Sequence, residues 1–540
     1  MTENKINNYE LVRRGQTIMD NNTRKEQERE ELHRSIWSIA NSLRGAVDGW
    51  DFKQYVLGIM FYRYISENLA SYINKGERDA GKLSFDYSKI SDAEAEVARE
   101  GLVNSKGFFI LPSELFCNVR AKAYNDENLN ETLESVFKHI EESAKGTESE
   151  NDFTGLFEDI DVNSNKLGST VEKRNKKISQ LLNDIGDMKL GDYQDNTIDA
   201  FGDAYEYLMG MYASNAGKSG GEYFTPQEVS ELLTRLAIIG KTSVNKVYDP
   251  ACGSGSLLLQ SLKLLGKDNI KQGFYGQEKN ITTYNLCRIN MFLHDVDFDK
   301  FSIACEDTLL APKHWDDEPF DVIVSNPPYS IKWDGDDNPL LINDIRFSPA
   351  GVLAPKGKAD LAFIMHSLSW LSTNGVASIV CFPGIMYRGG AEQKIRKYLV
   401  DNNYIDCIIQ LPDNLFFGTS IATCILVLKK SKNDTNILFI DASKECVKVT
   451  NNNKLTPYNI QNIVKVYKDR IDKDYMVKVA SYEDVKNNDY NLSVSTYVVK
   501  EDTREQIDIK KLNTEIEEIV ARENELREEI NKIIKEIENE

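Results

Sequence analysis

Basic residues are scarce in this chain: 65 lysines and arginines stand against 85 aspartates and glutamates, a formal charge of -20. Strong nucleic-acid binding needs clustered Lys and Arg against phosphates. Either the substrate is not nucleic acid, or a partner supplies most of the basic surface. The eight cysteines include no Cys-x-x-Cys pair. In a chain this long, that pattern argues against a disulfide framework and for reduced thiols in a cytosol. The five histidines are scattered, none beside a Cys or carboxylate cluster at metal-ligand spacing, so no metal is expected. No apolar run approaches the ~18–20 residues of a membrane span, and the polar N-terminus lacks a signal peptide's apolar segment. A soluble, cytoplasmic protein with no membrane partner is the expectation.

What is present is ordered along the chain. Residues 1–28 are polar and charged and read as a flexible arm, or as one ordered only by a partner. Residues 29–200 read as mainly helical. Leu32, Ile36, Ile39 and Leu43 have helical spacing, as do Phe52, Val56, Ile59, Met60 and Ile65, and Asp48 or Asp51 suits the cap of this second helix. Phe61-Tyr62-Arg63-Tyr64 reads as helix core, and 145–151 as a loop.

From about Lys246 short apolar runs alternate with amphipathic segments. The expected strands are 246–248, 273–276, 301–304, 321–324, 376–382, 405–410 and 423–428; the expected helices include 256–265, 282–293, 360–371 and 392–400. Such alternation predicts a doubly wound α/β sheet, and the short loop before the last strand predicts an antiparallel hairpin at one sheet edge. After about Lys430 the chain is Asn- and Lys-rich and less regular. It ends in a heptad pattern: Ile509, Leu512, Ile516, Ile519, Leu526, Ile530, Ile533 and Ile537, with Glu523 in the one polar seam position. Such a helix either folds back on its own domain or pairs with another chain, and pairing is the expectation.

Asn326-Pro327-Pro328-Tyr329 directly follows a strand-like run, Phe320 to Ser325. Two prolines force a turn at that strand's carboxyl end, where open α/β sheets bind ligands. The turn offers acceptors, Asn326 Oδ1 and the Pro327 carbonyl, and a ring, Tyr329, which together suit an exocyclic amine on a flat ring. Asp249-Pro250-Ala251-Cys252-Gly253-Ser254-Gly255-Ser256 joins another strand to a helix. Its glycines permit a close ligand approach, and its carboxylate suits an ammonium better than a pyrophosphate. Glu278, at the next strand's end, is placed for ribose hydroxyls, and Asp307, at the third, for an adenine amine; each alone also reads as a solvated loop residue.

These residues resemble S-adenosylmethionine-dependent DNA methyltransferases that act on exocyclic amines. The segment Gly221-Glu222-Tyr223-Phe224-Thr225-Pro226 is similar to the cofactor segment of type I restriction–modification enzymes, and the resemblance to their modification subunits covers nearly the whole chain. It implies a Rossmann-like sheet (201–475) between an N-terminal helical domain (29–200) and a C-terminal helical, coiled-coil-like segment (476–540). The implied cofactor is S-adenosyl-L-methionine, held by Glu222, Tyr223, Phe224, Thr225, Pro226, Gln227, Asp249, Gly253, Ser254, Gly255, Ser256, Glu278 and Asp307. The implied catalytic residues are Asn326, Pro327, Pro328 and Tyr329. Thr225 also reads as a helix cap, with Pro226 at the first helical position. The implied partners are a specificity subunit that chooses the DNA sequence, a second copy of this chain, a restriction subunit and double-stranded DNA within the complex. Cytosine C5 chemistry is disfavoured, since no Pro-Cys pair is present. Cytosine N4 methylation, protein glutamine N5 methylation, a stand-alone DNA methyltransferase and a non-catalytic scaffold stay open at this point.

Overall fold

The structure, a computed structural model, describes residues 27–39, 49–190, 200–215, 225–416, 419–450, 452–499 and 509–539. Residues 1–26 of the expected arm, Leu43, the Asp48 cap, and Glu222, Tyr223 and Phe224 lie outside the described residues, as do the side chains of Asp51 and Phe52; residues 27 and 28, read as the end of the arm, begin a helix.

Helices lead the chain, among them 27–39, Gly49–Asp79, Leu129–Ser143 and Val171–Asp187. Leu32, Ile36 and Ile39 are buried, as are Val56, Ile59, Met60 and Ile65, so the helical spacing marks a core-facing stripe. Phe61, Tyr62, Arg63 and Tyr64 are buried as expected. Arg63 is tolerated there because its Nη1 donates to the carbonyls of Ile185 (2.5 Å) and Met188 (3.0 Å) at the end of helix Val171–Asp187. A cation suits the negative pole of that helix.

A nine-stranded sheet follows, in the order β11-β8-β6-β7-β5-β4-β1-β2-β3. The strands are β1 Val244–Asp249, β2 Ile270–Glu278, β3 Phe301–Cys305, β4 Phe320–Ser325, β5 Leu371–Cys381, β6 Ile405–Gln410, β7 Cys424–Lys429, β8 Ile437–Asp441 and β11 Val477–Ala480; β9 (Val447–Val449) and β10 (Asn452–Lys454) form a separate hairpin. β1 pairs in parallel with both β2 and β4, so the winding reverses between β1 and β4. The carboxyl ends of these two strands therefore flank the crevice where open sheets take ligands. β6 and β7 do pair antiparallel, but not at an edge. β7 inserts between β5 and β6, and β8 and β11, from the stretch that reads as irregular, extend the sheet beyond β6. The edges are β3 and β11.

Helices and sheet share one core: Phe292 lies 5.9 Å from Phe61 and 5.0 Å from Phe153, ring to ring. Arg288, almost fully buried, donates to the carbonyls of Asn151 (2.8 Å) and Thr154 (3.0 Å) across the same junction. The compact unit runs to Val498, past residue 475, because β11 and helix Tyr482–Asn487 pack on the sheet side. Val499–Glu540 is a second unit; its helix, Ile509–Glu538, has no buried residue, and its isoleucine seam is exposed. Among the described residues no helix is long and apolar enough to cross a membrane.

Glu206, on helix Ala200–Asn215, ties that helix to the sheet side through Lys263 and through His294 Nε2 at 3.5 Å. Burial works to raise its carboxyl, but the His294 hydrogen bond and the Lys263 charge outweigh burial and hold it at about 2, below the ordinary 4.5. A depressed carboxyl stabilises the fold fully above its unfolded value and loses that contribution as pH falls through the folded one. Glu206→Gln should therefore lower stability near neutrality and flatten its decline between about pH 5 and pH 2. Melting temperature against pH tests this; an acid limb as steep as the parent's would reject the assignment.

Candidate active site

β4 is covered on both faces and ends at Ser325; Asn326 then leaves the sheet because Pro327 and Pro328 have no N–H for its ladder. Three side chains from distant segments hold the resulting turn. Ser325 Oγ donates to Asp249 Oδ1 (2.7 Å), Asn326 Nδ2 donates to Thr225 Oγ1 (3.1 Å), and the Ser330 amide donates to both carboxyl oxygens of Asp360 (3.2 and 3.0 Å). Ser330 sits at φ 52°, a left-handed conformation that costs a non-glycine residue energy and that the Asp360 clamp offsets. Tyr329 is folded inward: its hydroxyl donates to Asn326 Oδ1 at 2.5 Å, and burial pushes that hydroxyl's pKa well above its usual value. The acceptor expected to face an amine is thus occupied by the ring expected to stack on it.

Asp249 ends β1 and is fully buried. Its Oδ1 accepts from the Ala251 amide (3.0 Å) as well as from Ser325, while Oδ2 has no hydrogen-bond partner among the described residues. Burial raises the carboxyl to about 7, against these two hydrogen bonds. Gly253 and Gly255 have φ of 54° and 78°. A Cβ on Gly255 would lie 2.8 Å from Cys287 Sγ, so the loop's close seat on helix Ile281–Leu293 requires glycine. Ser254 is buried, with its carbonyl accepting from Asn290 Nδ2 (2.8 Å), and Ser256 opens helix Ser256–Leu265.

Glu278 ends β2 and reaches the same loop: Oε2 accepts from the Gly253 amide (3.1 Å) and Oε1 from the Asn280 amide (2.8 Å). Burial nevertheless raises its carboxyl. Asp307, just past β3, accepts from the Leu309 and Leu310 amides and pairs with Lys279 Nζ at 2.9 Å. Thr308 Oγ1 donates to the Pro250 carbonyl (2.6 Å) and draws this loop toward the first. Asp249, Glu278 and Asp307 therefore sit on three neighbouring strand ends.

Thr225 is not the cap its sequence implies. Pro226 occupies the N-cap position of helix Gln227–Ala237, one residue later than expected, and the Thr225 hydroxyl serves Asn326 instead. Gln227 Nε2 is a buried donor with no partner among the described residues. Three contributors escape sequence reading. Ser325 is one more apolar-run residue until Asp249 is seen beside it. Asp360 lies thirty residues beyond Ser330, at the start of a helix buried at every position but Ser369. Lys279 adjoins Glu278 but faces Asp307.

Two family models match the chain: the N-6 DNA Methylase model over residues 196–506 and the HsdM N-terminal domain model over residues 32–185. The type I restriction enzyme MpnII methylase subunit of Mycoplasma pneumoniae is 49% identical over 528 residues, covering 95% of this chain and 97% of that one. The chain belongs to the N-6 DNA methylase family of type I restriction enzyme methylase subunits. The MjaVII methylase subunit of Methanocaldococcus jannaschii is 30% identical, across 93% of this chain and 83% of that one. Among solved structures, the type I restriction-modification methyltransferase subunit from Streptococcus thermophilus has a TM-score of 0.79 at 35% identity, covering 87% of this chain and 99% of that one. This N-6 DNA methylase thus matches its relatives from the helical part through the sheet.

Proposed function

We propose that this subunit methylates adenine N6 in DNA whose sequence is chosen by a separate specificity subunit, with S-adenosyl-L-methionine as donor. The observation that carries the reading is the Ser325–Asp249 hydrogen bond, which joins the catalytic turn to the glycine loop across the switch between β1 and β4. The donor set suits the cofactor: Asp249 Oδ2 is a buried acceptor without a partner among the described residues, and Gln227 Nε2 a buried donor in the same condition. Asp249, Gly253 to Ser256, Glu278, Asp307, Glu222 to Phe224, Pro226 and Gln227 would hold S-adenosyl-L-methionine, which when bound supplies an electrophilic methyl group, while the Thr225 hydroxyl is engaged by Asn326.

The chain's own residues do the rest. The target base leaves the duplex. Tyr329 swings out to stack on it, a contact worth ~1–3 kcal/mol. Asn326 Oδ1 and the Pro327 carbonyl accept hydrogen bonds from the two N6 hydrogens, freeing the nitrogen lone pair as the centre becomes tetrahedral; the positive charge that arrives with the methyl group then leaves N6 as one of these hydrogens is lost as a proton to solvent. Acceptors fixed before the reaction serve the transition state more than the ground state.

The acidic charge and the exposed heptad helix support delegated recognition by a specificity subunit, with a second copy of this chain and a restriction subunit in the same assembly. Labelled methyl transfer to duplex DNA, with and without a co-expressed specificity subunit, tests the reading. Label should appear in N6-methyladenine and only with the partner present. Label in N4-methylcytosine would overturn the base assignment; sequence-specific transfer by the chain alone would overturn delegated recognition.

A further inference from the structure

We infer that Thr225 is a positioning residue for the Asn326 amide, holding its oxygen toward the target amine. The inference rests on the reading of Asn326 as the amine acceptor, and it gives Thr225 a task other than contact with the methyl donor. A terminal amide carries an acceptor and a donor of nearly equal shape. If the Asn326 side chain turns over, Nδ2 faces N6, two N–H groups oppose each other, and the acceptor is lost. Something must therefore distinguish the two ends.

Two contacts do so: Tyr329 donates to Oδ1, and Thr225 Oγ1 accepts from Nδ2. The first cannot persist when the ring swings out to stack on a base. Among the described residues, the second is then the contact that still tells nitrogen from oxygen. Thr225 is built to keep it. Its side chain is β-branched and buried, which limits χ1. Pro226 follows at φ -52°, and the Pro226 carbonyl receives the amides of Val229 and Ser230, both at 3.0 Å, at the start of the next helix. Among the described residues, the hydroxyl's partner is the Asn326 amide and not a backbone N–H of that helix.

The test uses the chain assembled with its specificity subunit. Thr225→Val keeps the shape and removes the acceptor, leaving a half-buried N–H unpaired and the amide free to turn. The turnover number should fall roughly 10- to 100-fold, the scale of one unsatisfied buried hydrogen bond. Donor affinity, measured by calorimetry with S-adenosylmethionine, should stay within about twofold, because the missing bond is to Asn326 alone. Thr225→Ser restores the hydroxyl and should restore turnover. Thr225→Cys, whose sulfur is a weak acceptor, should fall between them and serves if the valine variant does not fold. Wild-type turnover in the valine and cysteine variants would overturn the inference, as would lost donor affinity with normal turnover at saturating donor. Asn326→Ala in the same assay separates the two readings. If that variant is inactive while Thr225→Val is fully active, only the Thr225 role fails; if Asn326→Ala keeps turning over, the acceptor reading fails and takes Thr225 with it.

Discussion

Asn326→Ala should reduce methyl transfer at least about a thousandfold while donor affinity stays near that of the parent, the upper range for removing one preorganised hydrogen-bonding group from a reacting centre. The reason is geometric. Asn326 touches Thr225 and Tyr329, whereas Asp249 belongs to the next strand end: its Oδ1 is held by Ser325, which the substitution leaves in place, and its Oδ2 has no partner among the described residues. Removing the amide therefore strips the acceptor without opening the glycine loop. Single-turnover rates with saturating donor, beside calorimetric donor affinity, separate the two effects. Parent-like turnover would reject the acceptor role, and a collapse of donor affinity would show that the turn and the loop are not separable.

Cutting the chain after Thr503 should abolish co-purification with the specificity subunit, and with it methylation of duplex DNA. The compact unit ends at Val498, so the remaining protein should keep its melting temperature. Eight apolar seam positions leave with the helix, each worth ~1.5–3 kcal/mol if fully covered by a partner, against the ordering and association costs of docking. Replacing Ile519, 67% exposed, by glutamate should weaken the same association without shortening the chain. Pull-down against the tagged specificity subunit reads both. Undiminished capture by the truncated chain would place the contact elsewhere.

How far the fold could be read from the residues follows from burial. β4 and β6 are covered on both faces and appear in the sequence as apolar runs bounded by breakers, so they stood out. β8 and β11 did not: they have five and four residues, lie in an Asn- and Lys-rich stretch, and take their place from pairing with distant strands. The same omission put the β6–β7 hairpin at an edge. In the site, the Asn326 turn, the glycine loop and the carboxylates at strand ends were legible because turns and strand ends leave local marks. The tethers were not. Thr-Pro before a helix reads identically whether the hydroxyl caps the helix or, as here, holds an amide from another segment. Nothing near Asp360 announces that it clamps Ser330.

The hydroxyl of Tyr329 resting on Asn326 Oδ1 has a bearing on which bases are refused. On the proposed reading, entry of adenine would be an exchange, in which the tyrosine O–H leaves the oxygen and an N–H takes its place, so the acceptor is not left unpaired. Thymine and guanine carry a carbonyl where adenine carries its amine. Either would lift the tyrosine and leave the oxygen facing another oxygen, a cost of about 1–3 kcal/mol, or roughly ten- to a hundredfold in occupancy. On the proposed reading, the resting tyrosine would make the turn selective for functional groups, yielding at least cost to a base that returns the hydrogen bond it takes away.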